Sequence, residues 1–301
     1  MIGAVSSATP LGVAEIQADS ATRITHVLTM SSKKSIAIYL KHYEDVSLIK
    51  DDEMILYKNL IYSYDEIKII FVIFGIMNIY VVVVAGGAGT RMGSDIPKQF
   101  LPLGNVPILI RTLRVFANWA CKPSIVLVIP AIHRAYVASL IQEYSPMANI
   151  QLVEGGPTRY HSVQNGLLAI PNKEAWVMVH DAVRPCITHR WLDSLLADAQ
   201  QYGSAIPAVP VKDSMRRLLD TGSAVVDRSR IVSVQTPQVF SLPLLQEAFR
   251  QAYADSFTDE ATVYEACGHP VHLSQGSVYN IKITTPEDMI IAEVYLAKGI
   301  E

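Results

Sequence analysis

Cysteine is scarce. The three in this chain, Cys121, Cys186 and Cys267, stand far apart, are odd in number and form no Cys-x-x-Cys pair, which gives no support to a disulfide framework or a cysteine zinc site. A reducing cytoplasm is the expected compartment. A surplus of one charge is also missing: Lys and Arg number 25 against 28 Asp and Glu, a net charge of −3. Without a global electrostatic footprint, neither nucleic acid nor an anionic membrane is an expected partner, and any anionic ligand must be held by local positive groups. Internal repeats and low-complexity tracts are lacking, and Gly and Pro number 16 each, so collagen-like and disordered chains are excluded. What the chain does have is apolar mass. Half of its 301 residues are hydrophobic, enough to bury the core of one large domain or two modest ones.

The first 65 residues or so show no clear amphipathic repeat; short apolar pieces such as Ile36–Leu40 mix with charges such as Lys50–Glu53. No function is assigned to them. Ile67–Ala85 is nearly continuous in apolar character and approaches the ~18–20 residues of a membrane-spanning helix. Against a membrane-anchored form stand Lys68, Asn78, the lack of a small-residue cleavage site, and the run of Ile79–Val84 straight into Gly86-Gly87-Ala88-Gly89. A β-branched run ending in glycines reads as a buried parallel strand. Met77 stands just before that strand. Residues 1–76 are therefore expected to be an extension, either non-native upstream translation or a genuine but dispensable segment, with 77–301 as the working domain.

From Met77 onward, short apolar runs alternate with amphipathic stretches. The expected strands are Tyr80–Val84, Ser124–Pro130, Ile150–Glu154, Ala175–His180, Ser204–Val209, Val271–Ser274 and Tyr279–Ile283. Helices are expected around Pro107–Trp119, Arg134–Tyr144, Arg159–Ala169, His189–Gln201, Pro243–Tyr253, Asp259–Cys267 and Pro286–Lys298. This is an α/β pattern, predicting a Rossmann-like, mostly parallel sheet flanked by helices. The last helix has a clear start: Thr285 as cap, Pro286 at the first position, and Glu287 and Asp288 at the positive end of the dipole. Pro210–Val234 breaks the alternation and reads as a projecting β-arm with a turn at Thr221-Gly222.

The segment Ala85-Gly86-Gly87-Ala88-Gly89-Thr90-Arg91 follows the first strand, where open α/β sheets bind ligands. Glycines there let backbone N–H groups approach phosphate oxygens and form an anion-binding nest. It is not a P-loop, because Ser94 and Asp95 follow Gly93, and Met92 stands where a dinucleotide fingerprint needs its third glycine. Arg91 and Lys98, the latter in Pro97-Lys98-Gln99, bring two cations to the same turn. A nucleoside triphosphate site is favoured over a merely tight connection, since fixed cations stabilise charge that develops at a reacting phosphorus.

The stretch from Ala85 to Leu109 resembles the opening of the nucleotidyltransferases that make CDP-linked sugar alcohols, most closely the 2-C-methyl-D-erythritol 4-phosphate cytidylyltransferases. The resemblance continues in family order through Gly155-Gly156-Pro157-Thr158-Arg159, His180-Asp181-Ala182-Val183-Arg184-Pro185, Pro210–Ser214, Gln235-Thr236-Pro237-Gln238, Thr258-Asp259-Glu260-Ala261 and Asn280–Asp288. It covers Met77–Lys298 and none of 1–76. It implies transfer of CMP from CTP to the acceptor's phosphate, with Mg2+ accompanying CTP, and a homodimer formed through the arm. A ribitol 5-phosphate cytidylyltransferase is the nearest alternative, because Ala182-Val183 lies between the two families' versions of that motif. A catalytically silent nucleotide-binding protein on the same scaffold is the alternative of a different class.

By resemblance, Ala85, Gly86, Gly87, Ala88, Gly89, Thr90 and Lys98 hold the CTP phosphates, with Arg91 and Lys98 acting at the α-phosphorus. Gly156, Arg159 and Ser162 are placed at the base, although Pro157 stands where the family often has an acidic residue, which removes a backbone N–H. Arg159 and Ser162 have the alternative reading of helix capping and charge pairing. Asp181 reads as a contact to ribose or Mg2+, or as a structural ion pair with Arg184. His180 is expected to orient its loop, because the attacking phosphate is already an anion and needs no base. For the acceptor, the resemblance names Arg184, Ser214, Arg228, Thr258 and Lys282. Arg228 and Lys282 complete the catalytic set, and a second subunit is expected to supply the arm. Arg230 stands nearby, and only spacing to Gln235 selects Arg228 over it.

Overall fold

In a computed structural model, the described residues are 12–16, 25–29, 36–40, 45–50, 53–58, 78–87, 92–93, 96–144, 150–171 and 174–299. The chain divides into two compact units, Met1–Val72 and Ile73–Glu301. The first contains an antiparallel meander of five strands in chain order, Gly12–Ile16, Thr25–Thr29, Ile36–Leu40, Asp45–Lys50 and Glu53–Lys58. Each has five or six residues, too few for a repeat to stand out in the sequence. Most of the apolar Ile67–Ala85 run lies outside the described residues, but its last part is a strand.

That strand, β1 (Asn78–Val84), is the centre of the second unit. With β2 (Ser124–Ile129), β3 (Ile150–Glu154) and β4 (Ala175–Asp181) it forms a parallel block in the order β3-β2-β1-β4. The chain continues with β5 (Ser204–Pro210), β6 (Met215–Leu218), β7 (Ser223–Val226), β8 (Val232–Val234), β9 (Gln238–Ser241) and β10 (Leu273–Gln275); β5, β8, β9 and β10 extend the sheet, while β6 and β7 form a separate hairpin. β9 lies antiparallel between β4 and β5, β8 pairs antiparallel with β5, and β10 pairs parallel with it. The sheet is thus mostly parallel.

Helices cover both faces, as the unbroken apolar runs of the parallel strands require. α1 (Ile108–Asn118), α2 (Arg134–Tyr144) and α4 (His189–Tyr202) pack on the face that receives Ile79, Val81 and Val83. α3 (Arg159–Leu168), α5 (Leu242–Ala248) and α6 (Glu260–Ala266) cover the face that receives Val82, Val126 and Val128. Side chains one residue apart therefore enter different cores, the period of a strand. α3 comes closest: a Cβ on Gly166 would meet Val82 Cγ1 at 2.7 Å and Val128 Cγ2 at 2.9 Å. α7 (Pro286–Ala297) begins as expected, with Asp288 Oδ2 accepting from the Thr285 N–H at 2.9 Å.

Two expected elements need correction, and one strand was not expected. Tyr279–Ile283 is not a strand, because side chains take its backbone groups: Arg184 Nη1 donates to Asn280 O (2.8 Å) and Lys98 Nζ to Ile283 O (2.9 Å). The helix at Pro243–Tyr253 ends early, at Ala248. β9 was hidden by its polar flank, since Gln238 is buried and faces α6. Its amide donates to Asp259 Oδ2 (2.8 Å) and accepts from the Ala261 N–H (3.0 Å). The arm does project as a hairpin, and Gly222 turns it at φ +80°, a conformation glycine adopts without strain.

Candidate active site

The chain runs β1, β2, β3 outward to one side and then places β4 on the other side of β1. A sheet of this kind binds ligands in the crevice at that reversal, beyond the carboxyl ends of the strands. A cavity of about 600 Å³ opens there. Each parallel strand contributes its last residues or the loop behind it: Ala85-Gly86-Gly87 from β1, Pro130 from β2, Gly155-Gly156 from β3 and Asp181 from β4. Backbone bonds fix these ends, Ala85 N–H to Val128 O (2.9 Å), Gly155 N–H to Ile129 O (2.8 Å) and Ala182 N–H to Val84 O (3.0 Å).

Asp181 sits at the centre. Its carboxylate meets Lys282 Nζ at 2.8 Å, Arg159 Nη2 at 3.4 Å and Arg184 Nε at 3.6 Å. Burial alone would raise its pKa, but Arg159 and Lys282 win and hold it well below the usual carboxylate range. Arg159, at the start of α3, also reaches the carboxylate of buried Glu260 through both terminal nitrogens, at 2.5 and 3.1 Å. This fork-to-fork pairing orients the guanidinium as well as neutralising it. Burial pushes the Glu260 carboxyl upward, with Arg159 opposing.

Lys98 enters from a short 3-10 turn, Lys98–Phe100, and is itself buried. Gln99 beside it donates to Ala85 O at 2.8 Å, tying that turn to the glycine loop. Arg159, Arg184 and Lys282 thus surround Asp181, Arg159 also holds Glu260, and Lys98 lines the same cavity as Asp181, four cations near two carboxylates. The surplus is positive, which suits a polyanion.

Behind Asp181 runs a neutral relay. The Asp181 N–H donates to Thr236 Oγ1 (3.1 Å), which lies 3.1 Å from His180 Nδ1, while His180 Nε2 lies 3.0 Å from Arg184 O. A carbonyl only accepts, so Nε2 carries the proton and Nδ1 accepts from the threonine hydroxyl. Burial pushes the imidazole pKa down to about 4. His180 is therefore uncharged near neutrality and orients the Asp181–Arg184 loop.

The structure brings Ala85, Gly86, Gly87, Lys98, Gly156, Arg159, Ser162, Asp181 and Lys282 to one cavity. Ala88, Gly89, Thr90 and Arg91 lie outside the described residues. Ser162 uses its hydroxyl locally, accepting from the Gly156 N–H (3.1 Å) and donating to Thr158 O (3.0 Å), so it shapes the glycine pair. Arg184 is buried behind Asp181. Ser214, Arg228 and Thr258 are exposed and do not line this cavity; Arg228 Nη1 donates to Lys212 O within the arm. Sequence reasoning missed Glu260, Thr236 and Asn280 as site residues. Their motifs are visible in the sequence, but the partners they hold are remote from them in the chain.

Asp181 does not fit a magnesium ligand in this arrangement. Among the described residues it is the acidic side chain of the cavity lining, and three cations already occupy its oxygens. The small group Glu247, Cys267 and His269 lies elsewhere, at the far end of α6.

An open α/β sheet that gathers cations and glycine backbone at its switch point is the architecture of a nucleotidyltransferase. The model of the family described as "IspD: 2-C-methyl-D-erythritol 4-phosphate cytidylyltransferase" matches residues 79–298. The 2-C-methyl-D-erythritol 4-phosphate cytidylyltransferase of Phocaeicola vulgatus is 45% identical over 220 residues, covering 73% of this chain and all of that protein. That of Bacillus mycoides is 43% identical over 220 residues, 71% of this chain and 96% of its own. The crystal structure of the Francisella tularensis enzyme superposes with a TM-score of 0.63 at 31% identity, over 72% of this chain and 99% of that one. The chain belongs to the 2-C-methyl-D-erythritol 4-phosphate cytidylyltransferase family.

Proposed function

We propose that the chain transfers CMP from CTP to 2-C-methyl-D-erythritol 4-phosphate, giving 4-diphosphocytidyl-2-C-methyl-D-erythritol and pyrophosphate, a step of isoprenoid precursor synthesis by the non-mevalonate pathway. The observation that carries this reading is the convergence of Lys98, Arg159 and Lys282 on one cavity at the sheet's switch point. An oxygen of the acceptor phosphate attacks the α-phosphorus in line. The new P–O bond forms as the bond to the bridging oxygen breaks, and pyrophosphate leaves with that electron pair. The attacking group is already an anion, so no base is needed, in keeping with a neutral His180.

The amides of Ala85–Gly87 and Lys98 hold the triphosphate, joined by Arg91. Gly155, Gly156 and Arg159 frame the base and ribose, and Lys282 meets the acceptor phosphate. Positioning and fixed charge supply the rate. Mg2+ accompanies CTP, held by phosphate oxygens and water, the usual mode for this hard cation. Asp181 acts through the cations it holds.

Arg228 and Ser214 of the arm serve the acceptor site of a partner copy, the two chains pairing through the arm as a homodimer, and Thr258 offers the acceptor a hydroxyl. Residues 77–301 form the catalytic domain and work in the cytoplasm. No helix among the described residues is long and apolar enough to cross a membrane.

The test crosses CTP, UTP, ATP and GTP with sugar-alcohol phosphates and follows pyrophosphate release. Turnover with CTP and 2-C-methyl-D-erythritol 4-phosphate above all other pairs is the expected result. Preference for ribitol 5-phosphate would transfer the assignment to the sister activity, and silence with every pair would leave a binding protein.

A further inference from the structure

The far end of α6 carries a cluster that the transfer reaction does not use. Cys267 caps the helix, Gly268 follows at φ +88°, and His269 comes next. The Gly268 N–H donates to Glu265 O (2.9 Å) and the His269 N–H to Tyr264 O (3.2 Å). These are the paired bonds of a Schellman ending, which requires a left-handed residue just past the cap. The reversal sets Cys267 and His269 side by side, and Glu247 of α5 stands across from them. One ligand atom from each of the three side chains lies within 4.8 Å of the others.

A second observation points to a ligand there. His269 Nε2 is buried without a hydrogen-bond partner, and Glu247 Oε2 lies 4.0 Å from it, beyond hydrogen-bond length. Native structures rarely leave such an atom unsatisfied. The imidazole is braced by Tyr264, whose ring centroid is 4.6 Å away. Two ligands bound to one tetrahedral zinc sit about 3.4 Å apart, given metal–ligand bonds near 2.0–2.2 Å. The Glu247 side chain is 58% exposed and free to close the remaining gap.

We propose that Glu247, Cys267 and His269 bind a zinc ion, with water as the fourth ligand. A thiolate, an imidazole and a carboxylate match zinc, whereas magnesium and calcium prefer oxygen donors alone. Binding releases the thiol proton to solvent and involves no electron transfer. The ion ties α5 to the end of α6. Cys267 is ~10 Å along that helix from Glu260, at 1.5 Å rise per residue, so the site stands apart from the cavity.

The test uses untagged full-length protein stripped with a chelator, then titrated with zinc chloride and separately with cobalt chloride. One zinc per chain retained through gel filtration, a raised unfolding midpoint and a thiolate-to-cobalt charge-transfer band are expected. Cys267→Ser and Glu247→Gln should each weaken zinc binding at least tenfold and leave CTP turnover unchanged; the second alters an exposed side chain and keeps the fold. Lack of stoichiometric binding, or binding that both variants retain in full, overturns the proposal.

Discussion

Lys282 Nζ rests 2.8 Å from Asp181 Oδ2, so a lysine from the irregular segment before α7 is seated against the last residue of a central strand. The contact gives Lys282 a fixed address without a regular element to carry it. The same carboxylate gathers Arg159 and Arg184, so one acidic group aligns cations from three separate motifs.

Replacing Asp181 with asparagine should therefore cost stability and catalysis together. Cations left without a buried counter-charge are destabilising by about 3–5 kcal/mol, and the exposure of Lys282 puts the expectation at the lower end. Urea denaturation reads the loss, and steady-state kinetics should show a lower kcat for CTP transfer.

Lys98→Ala should lower turnover by about 10²–10³-fold, the usual effect of removing one fixed donor from a developing charge. The far-ultraviolet circular dichroism should stay that of the parent. Near-normal turnover in a folded variant would contradict the role given to Lys98.

His180 makes stability pH-dependent. Its folded pKa, about 4, lies below the unfolded value near 6.5, so between those limits the unfolded chain binds more protons. Stability is full above the upper limit and falls as the pH drops through that window, by on the order of 1–3 kcal/mol. Asp181 adds a loss of the same sign at still lower pH, because its depressed pKa favours the folded state only while the carboxylate is ionised. Unfolding free energies at pH 7.5 and 5 should differ in the parent and converge in His180→Gln.

Gly166→Ala places a methyl against Val82 and Val128, two stiff β-branched side chains in a closed core. Overpacking of this kind costs about 1–3 kcal/mol, and thermal unfolding should show it as a lower Tm with little change in KM.

If the arm serves a partner copy, mixing folded Lys98→Ala and Arg228→Ala chains should restore activity that neither shows alone. Dissociation and reassociation before assay makes the mixed dimers. No gain on mixing would assign Arg228 to its own chain.

Much of this was legible in the sequence because parallel strands buried on both faces must be apolar throughout. β1 through β4 and the helices between them stood out for that reason, and the glycine turns marked the strand ends where the cavity forms. Tyr279–Ile283 misled because its apolar residues alternate as in a strand, while its backbone groups are claimed by Lys98 and Arg184 from far away in sequence. Glu260 went unnoticed as a site residue for the same reason: a carboxylate at the start of a helix looks like dipole compensation until Arg159 is seen reaching it. Ser214, Arg228 and Thr258 came from resemblance alone, and one chain does not unite them with the rest.

The bond from Lys98 Nζ to Ile283 O has a bearing on how the two reactants meet. An ammonium has three protons to give, and Lys98 spends one of them gripping the main chain beside Lys282. A nucleotide bound as proposed would therefore meet a side chain already fastened to the backbone next to Lys282, coupling its seat to the one proposed for the acceptor.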